Sequence, residues 1–212
     1  MAEKSFIKGA LVLTVAGVVA KMMGALYRIP FARIVGEEGS AIYGLVYPVY
    51  NLLLALSTAG IPLAISKLIA EREEQGYSQE SLRIFKVALL LLSAVGLSVG
   101  VIIFINADWI AANVLHEPKA AWSLRALAPA MIFSCMQAVF RGYFQGLQQM
   151  VPTALSQITE QFIRVGVIMA VIFTLAGFGA ETVAAGASFG ASVGGFAALS
   201  LIVMLFLRHQ RK

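Results

Sequence analysis

Charge is scarce in this chain of 212 residues: only 13% are Asp, Glu, Lys or Arg and 59% are hydrophobic, where a soluble domain carries about 25% charged residues. A mean hydropathy of +0.84 excludes an ordinary water-soluble globule. Cysteine is almost absent. Cys135 stands alone, so no internal disulfide is possible, and its apolar neighbours describe a packed thiol rather than a reactive one. His116 and His209 are isolated in the sequence, and with no acidic or cysteine cluster near them neither a metal nor a cofactor is expected. No GxxxxGK[ST] loop and no nucleophile paired with a base occurs, so the sequence does not describe an enzyme. Period-two alternation is missing too, which excludes barrel strands and leaves helices to satisfy the backbone in lipid. The fold class expected is all-α, a polytopic membrane protein.

What is present is a series of long apolar runs bounded by charge. Six spans are read, at about 6–28, 41–67, 84–106, 122–147, 152–178 and 182–207. Lys4 and Lys8 before Gly9–Ala20 imitate the start of a signal peptide, but the apolar pattern continues past Lys21 and five spans follow, which favours a retained helix. The net charge of +5 follows topology: Lys4, Lys8, Lys67, Arg72, Arg83, Lys86, Arg208, Arg211 and Lys212 fall on one side. Arg33 and Lys119, with Arg28 and Arg125 near span ends, fall on the other. Both termini are thus expected in the cytoplasm, and a nucleic-acid partner is not, because the basic residues are not interleaved with aromatics on a polar surface. The segment from about 68 to 83 reads as a short amphipathic or solvated connector.

Polar residues inside the runs are few and patterned. In the fifth span Thr153, Gln157, Glu160, Gln161 and Arg164 share one helical side. With entry near Pro152, Arg164 lies roughly 18 Å deep, where a charge facing lipid costs at least about 2.5–3.5 kcal/mol. The stripe therefore faces protein or water, either as an internal Glu160–Arg164 pair or as the lining of a hydrated cavity. The fourth span repeats the device with Gln137, Arg141, Gln145 and Gln149, suggesting a shared wet vestibule. In the first, Gly17, Lys21, Gly24 and Arg28 put two cations on one glycine-lined face, which suits a large anionic ligand. Pro48 and Pro62, with Ser57–Thr58–Ala59–Gly60 between them, mark a hinge or a static kink in the second span. Gly186, Gly190 and Gly194 place small residues along one stripe of the sixth, favouring close packing within the bundle over dimerisation.

The segments KMMGALYRIPFARIVGEEG, YPVYNLLLALSTAGIPLAISKLIAE and VFRGYFQGLQQMVPTALSQITEQFIRV resemble the polysaccharide-biosynthesis and lipid II flippase branch of the multidrug/oligosaccharidyl-lipid/polysaccharide exporter superfamily, and within it the stage V sporulation protein B group. The resemblance implies one six-helix lobe of a two-lobe exporter, with a second lobe as partner. It also implies a lipid-linked, phosphate-bearing saccharide as substrate, moved by alternating access in a bacterial cell membrane among membrane lipids. By the same resemblance Lys21, Arg28 and Arg33 match basic positions around the first helix, and Arg141, Glu160 and Arg164 the polar inner half of the lobe, with Gln157 and Gln161 beside them. Gram-negative lipid II flippases carry arginines just after the NLL segment, whereas Leu54 and Ala55 stand there in this chain. Two other readings stay open: a multidrug/cation antiporter of the same superfamily, in which Glu160 is the coupled carboxylate, and a non-transport structural subunit whose charges pair internally.

Overall fold

The computed structural model describes residues 2–58, 60–175 and 177–211, with side chains for all of these except 2–8 and 10. Lys4, Lys8, Ala59 and Lys212, invoked above for topology or hinge, lie outside what is described at side-chain level. The chain folds as α1 (Ala2–Leu26), α2 (Arg28–Thr58), α3 (Ile61–Glu74), α4 (Ser78–Ile105), α5 (Ala107–Asn113), α6 (Ala121–Gly146), α7 (Met150–Leu175) and α8 (Ala180–Gln210), with a 3₁₀ turn at Pro118–Ala120 before α6. No strand occurs among the described residues. Four helical stretches from Ser78 onward are long and apolar enough to cross a bilayer, and a fifth, Leu11–Glu74, is 64 residues long. That is length for two crossings, supplied by α1 and by α2 continued into α3. The result is an all-α, multi-pass membrane bundle.

Three boundaries differ from the sequence reading, each for a local reason. The first run breaks after Leu26, so Arg28 opens α2 instead of closing α1, and the four-residue face Gly17–Lys21–Gly24–Arg28 does not exist on one helix. Pro30 explains the break, because a proline lacking its N–H is tolerated in a helix's first turn and not in its interior; Phe31 N–H then donates to Tyr27 C=O at 3.0 Å. The second run is two helices rather than one, since Gly60 adopts φ 69°, a left-handed conformation that glycine takes freely. Pro62 falls in the first turn of α3, where it begins a helix and bends none, whereas Pro48 stays within helical α2. The sharper deviation lies at Gly36, with φ 78° and ψ −174°. Finally, the connector of 68–83 shrinks to a turn at 75–77, as Arg72 and Glu80 pair across it at 3.4 Å.

Close approaches fix the packing. A methyl group added at Gly146 would lie 2.8 Å from Ser66 O, one at Gly142 2.8 Å from Pro62 O, and one at Gly100 2.8 Å from Ala128 O, so α3 and α4 both dock on α6 through absent side chains. α8 lies between α6 and α7, and α1 packs along α7. The glycine stripe of α8 rests on α7: the same test puts Gly194 2.6 Å from Glu160 O and Gly190 3.2 Å from Arg164 O, with Gly186 against Val171. One end of the bundle gathers Phe85, Phe140, Tyr143 and Phe206 into an aromatic cluster, and there Gln210 donates to Tyr143 Oη at 3.0 Å. Gly9 of α1 meets Met150 at the start of α7, so the two chain ends share that side. Large apolar side chains such as Leu63, Leu90 and Phe173 point outward, as a lipid-facing surface requires.

Candidate functional site

Arg164 is the most buried cation described, 5% exposed, and every partner it has comes from a helix already placed. Its Nη2 donates to Glu160 Oε1 at 2.6 Å, one turn back on α7. Its Nη1 donates to the Tyr47 hydroxyl of α2, and the guanidinium lies 5.8 Å from the centre of that ring, within cation–π range. Glu160 is shared. Arg141 of α6 donates from Nη2 to Glu160 Oε2 at 2.9 Å, from Nε to Ser156 Oγ at 3.0 Å, and to Gln137 Oε1. Gln137 in turn donates to Gly195 O of α8 at 2.9 Å.

One carboxylate thus serves two guanidinium groups, leaving a surplus positive charge held at low exposure. Coulomb interactions there are weakly screened. The glycines of α8 permit this arrangement, because Gly194 sits against the α7 backbone at Glu160 and Arg164.

The surplus opens onto a cavity of about 350 Å³ bounded by Ala20, Lys21, Gly24 and Ala25 of α1, Tyr27 between the helices, Arg28 and Tyr47 of α2, and Gln161 and Arg164 of α7. Three cations from three helices converge on it, and its lining contains no carboxylate. Lys21 and Arg28, both exposed, meet there although a helix break separates them. A second cavity of about 400 Å³ adjoins it along α2, sharing Arg28 and Tyr47.

The residues singled out from sequence therefore divide. Lys21, Arg28, Gln161 and Arg164 are brought together. Arg141 and Glu160 sit behind them, tied to each other rather than lining the cavity. Arg33 is exposed and borders neither cavity. Gln157 is half-buried, its Oε1 without a hydrogen-bond partner. Of the row Gln137, Arg141, Gln145 and Gln149, Gln137 is 1% exposed and tied to α8, Arg141 is tied to α7, Gln145 is half-buried, and Gln149 is exposed beyond the end of α6. Tyr47 escaped the sequence reading. Its signal was there: Ser40, Tyr43, Tyr47 and Asn51 recur at helical spacing in the second span, but an aromatic stripe in an apolar helix looks like core.

Residues 6–212 match the family described as polysaccharide biosynthesis protein. The chain belongs to that family. It is similar to two curated relatives. Stage V sporulation protein B of Bacillus subtilis (strain 168) is 34% identical over 206 residues, covering 97% of this chain and 40% of that protein. Lipid II flippase MurJ of the same organism is 29% identical over 221 residues, covering 99% of this chain and 40% of its own length. This member of the polysaccharide biosynthesis family thus spans about 40% of the length of each of these two relatives. Its fold is similar to that in the crystal structure of a MATE protein in complex with MaD3S, with a TM-score of 0.83 at 18% identity over 97% of this chain and 46% of that one.

Proposed function

We infer that this chain is the first lobe of a membrane flippase or exporter that moves a lipid-linked, pyrophosphate-bearing saccharide from the inner to the outer leaflet by alternating access. The observation that carries this reading is the convergence of Lys21, Arg28 and Arg164 on one cavity whose lining lacks acid. Arginine presents a planar fork of donors that matches phosphate oxygens, and lysine a mobile point charge beside it. Glu160 holds Arg164 in place and is engaged by Arg141 on its far side. With each carboxylate oxygen already engaged by a guanidinium group, Glu160 has no free oxygen to offer a coupled cation, which weighs against the antiporter reading. A second six-helix lobe would face this one and close the cavity, in keeping with the 40% of the relatives' length that the chain spans. Six crossings would return that lobe in the same orientation, with both ends of this chain in the cytoplasm by the Lys/Arg bias. The reading involves binding and movement, with no enzymatic step.

The test is complementation by the full-length gene in a strain lacking its own flippases for the wall precursor. Arg28→Ala and Arg164→Ala should abolish growth while the protein still inserts, and Arg28→Lys should restore part of it. Full growth with both alanine variants would overturn the assignment.

A further inference from the structure

Away from the cationic cavity, α4 and α6 flank a groove of about 390 Å³ whose lining is apolar throughout and includes Gly96, Gly100, Val101 and Phe104 of α4 with Pro129 and Ile132 of α6. The glycines make its floor. A methyl group at Gly96 would lie 2.9 Å from Ile132 Cα, and one at Gly100 2.8 Å from Ala128 O, so the helices touch there and the larger side chains beside them form walls. Val101 and Phe104 are exposed, which leaves the groove open to the surrounding lipid. It shares no residue with the cationic cavity.

The mouth of the groove is polar. Arg125 lies on the groove's face of α6, one turn before Ala128 and Pro129, at the end of the bundle opposite the chain ends. Its Nη2 donates to Asp108 Oδ2 of α5 at 2.5 Å, and its guanidinium lies 5.1 Å from the centre of the Trp122 ring, within cation–π range. These contacts orient the guanidinium before any ligand arrives, which removes part of the cost of binding. They also leave most of it free: Arg125 Nε and Nη1 and Asp108 Oδ1 make no hydrogen bond among the described residues. Trp109 of α5 is exposed beside them, as Trp122 is. Both tryptophans of the chain thus stand at this end, at the level where such rings meet lipid headgroups. From Arg125 to Ile132 the helix descends roughly 10 Å, within the ~15 Å of hydrocarbon that one leaflet supplies. An acyl chain laid in the groove therefore carries its phosphate to Arg125.

The pair at the mouth selects the headgroup. Arg125 and Asp108 together carry no net charge, so a phosphate on the free Arg125 hydrogens is best matched when the same headgroup brings a cation to Asp108. A phosphoglycerol headgroup has no amine and leaves the carboxylate facing a second negative charge. A phosphoethanolamine headgroup is neutral overall: its phosphate accepts from the guanidinium fork, and its ammonium donates to Asp108 Oδ1.

We propose that the groove between α4 and α6 is a binding site for one phosphatidylethanolamine molecule of the adjoining leaflet. One acyl chain lies between the helices, the phosphate on Arg125 and the ammonium on Asp108. The site is separate from the transport cavity and does not depend on the transport reading.

The experiment is native mass spectrometry of the full-length protein, delipidated in detergent and titrated with phosphatidylethanolamine or phosphatidylglycerol of identical acyl chains. The wild type should bind the first at least about fivefold more tightly than the second. Arg125→Gln should weaken both by about tenfold or more, and Asp108→Asn should bring their ratio towards one. Val101→Trp fills the groove from its lipid-facing wall without touching the polar pair, and should weaken both lipids while keeping their ratio. Asp108 and Val101 are exposed, so neither change disturbs the packed interior. Equal affinity of the wild type for the two lipids, or a preference that survives Asp108→Asn, would overturn the assignment of the headgroup and the proposal with it. Affinities unmoved by Val101→Trp would place the chain elsewhere and overturn the groove. Displacement of phosphatidylethanolamine by an equal concentration of a polyprenyl phosphate would give the groove to a prenyl lipid and overturn the proposal as well.

Discussion

At the residue scale, Glu160 shows how a small change in partners alters a role. Sequence spacing put it one turn from Arg164, and that pair forms, but the second guanidinium, Arg141, comes from 19 residues away on α6. With side chains 15% exposed at Glu160, 20% at Arg141 and 6% at Arg164, removing the shared anion leaves two cations facing each other at low dielectric. Glu160→Gln should therefore destabilise the protein by about 3 kcal/mol, the scale on which breaking a buried pair acts, seen as a lower unfolding midpoint in detergent. Arg141→Gln added to it should recover part of the loss, because one of the opposed charges is gone. Additive effects in the double variant would show that the two do not interact. The neighbouring unsatisfied groups, Gln157 Oε1 and Arg164 Nε, sit where a ligand or water is needed to complete the hydrogen bonding.

Glycine acts at the element scale. The stripe in α8 was legible from its four-residue repeat, and its partner was not, because one sequence does not say which helix comes to meet small residues. The structure supplies α7. Gly194→Ala sets a carbon 2.6 Å from a backbone oxygen, and backbone cannot rotate aside; the corresponding carbon at Gly186 would be 2.8 Å from Val171 Cγ1, a side chain that can turn. The first should cost about 2 kcal/mol as an overpacked contact and the second less, by thermal unfolding of the purified protein. Gly17→Ala has nothing within 4 Å and should be neutral or slightly stabilising, since glycine inside a helix is worth about 0.5–1 kcal/mol less than alanine. Equal losses at all three positions would remove the packing argument. The breaks at Leu26 and Gly60 belong to the same scale. The apolar windows carried the first span two residues past the break that Pro30 explains, and joined into one span the two helices that a left-handed Gly60 separates.

For the whole molecule, the decisive arrangement is which ends lie together. Lys67 at one end and Lys119 at the other mark opposite sides of the bundle, and Lys119, in the 3₁₀ turn before α6, is paired with Glu38 of α2. Cys135 is fully buried and should give little background in thiol labelling. In intact cells an impermeant maleimide should react with Lys119→Cys and leave Lys67→Cys and Arg208→Cys unlabelled until the membrane is opened. The reverse pattern would invert the proposed topology. The cationic cavity is also a property of this scale, for it draws on α1, α2 and α7, and its neighbour runs along α2.

Composition and periodicity determined on their own that the chain is helical, crosses a membrane several times and hides charge inside it, because lipid forbids an exposed backbone polar group or an unpaired ion and the sequence must answer that position by position. Which charges face one another was decided only when the helices came together. Arg141 and Arg164 share one carboxylate, each through its own oxygen, Lys21 and Arg28 border one cavity across a helix break, and Tyr47 accepts from Arg164 at its edge. Electrostatic pairing depends on distances of a few ångströms between segments far apart in the chain, and spacing along a single helix carries no information about them.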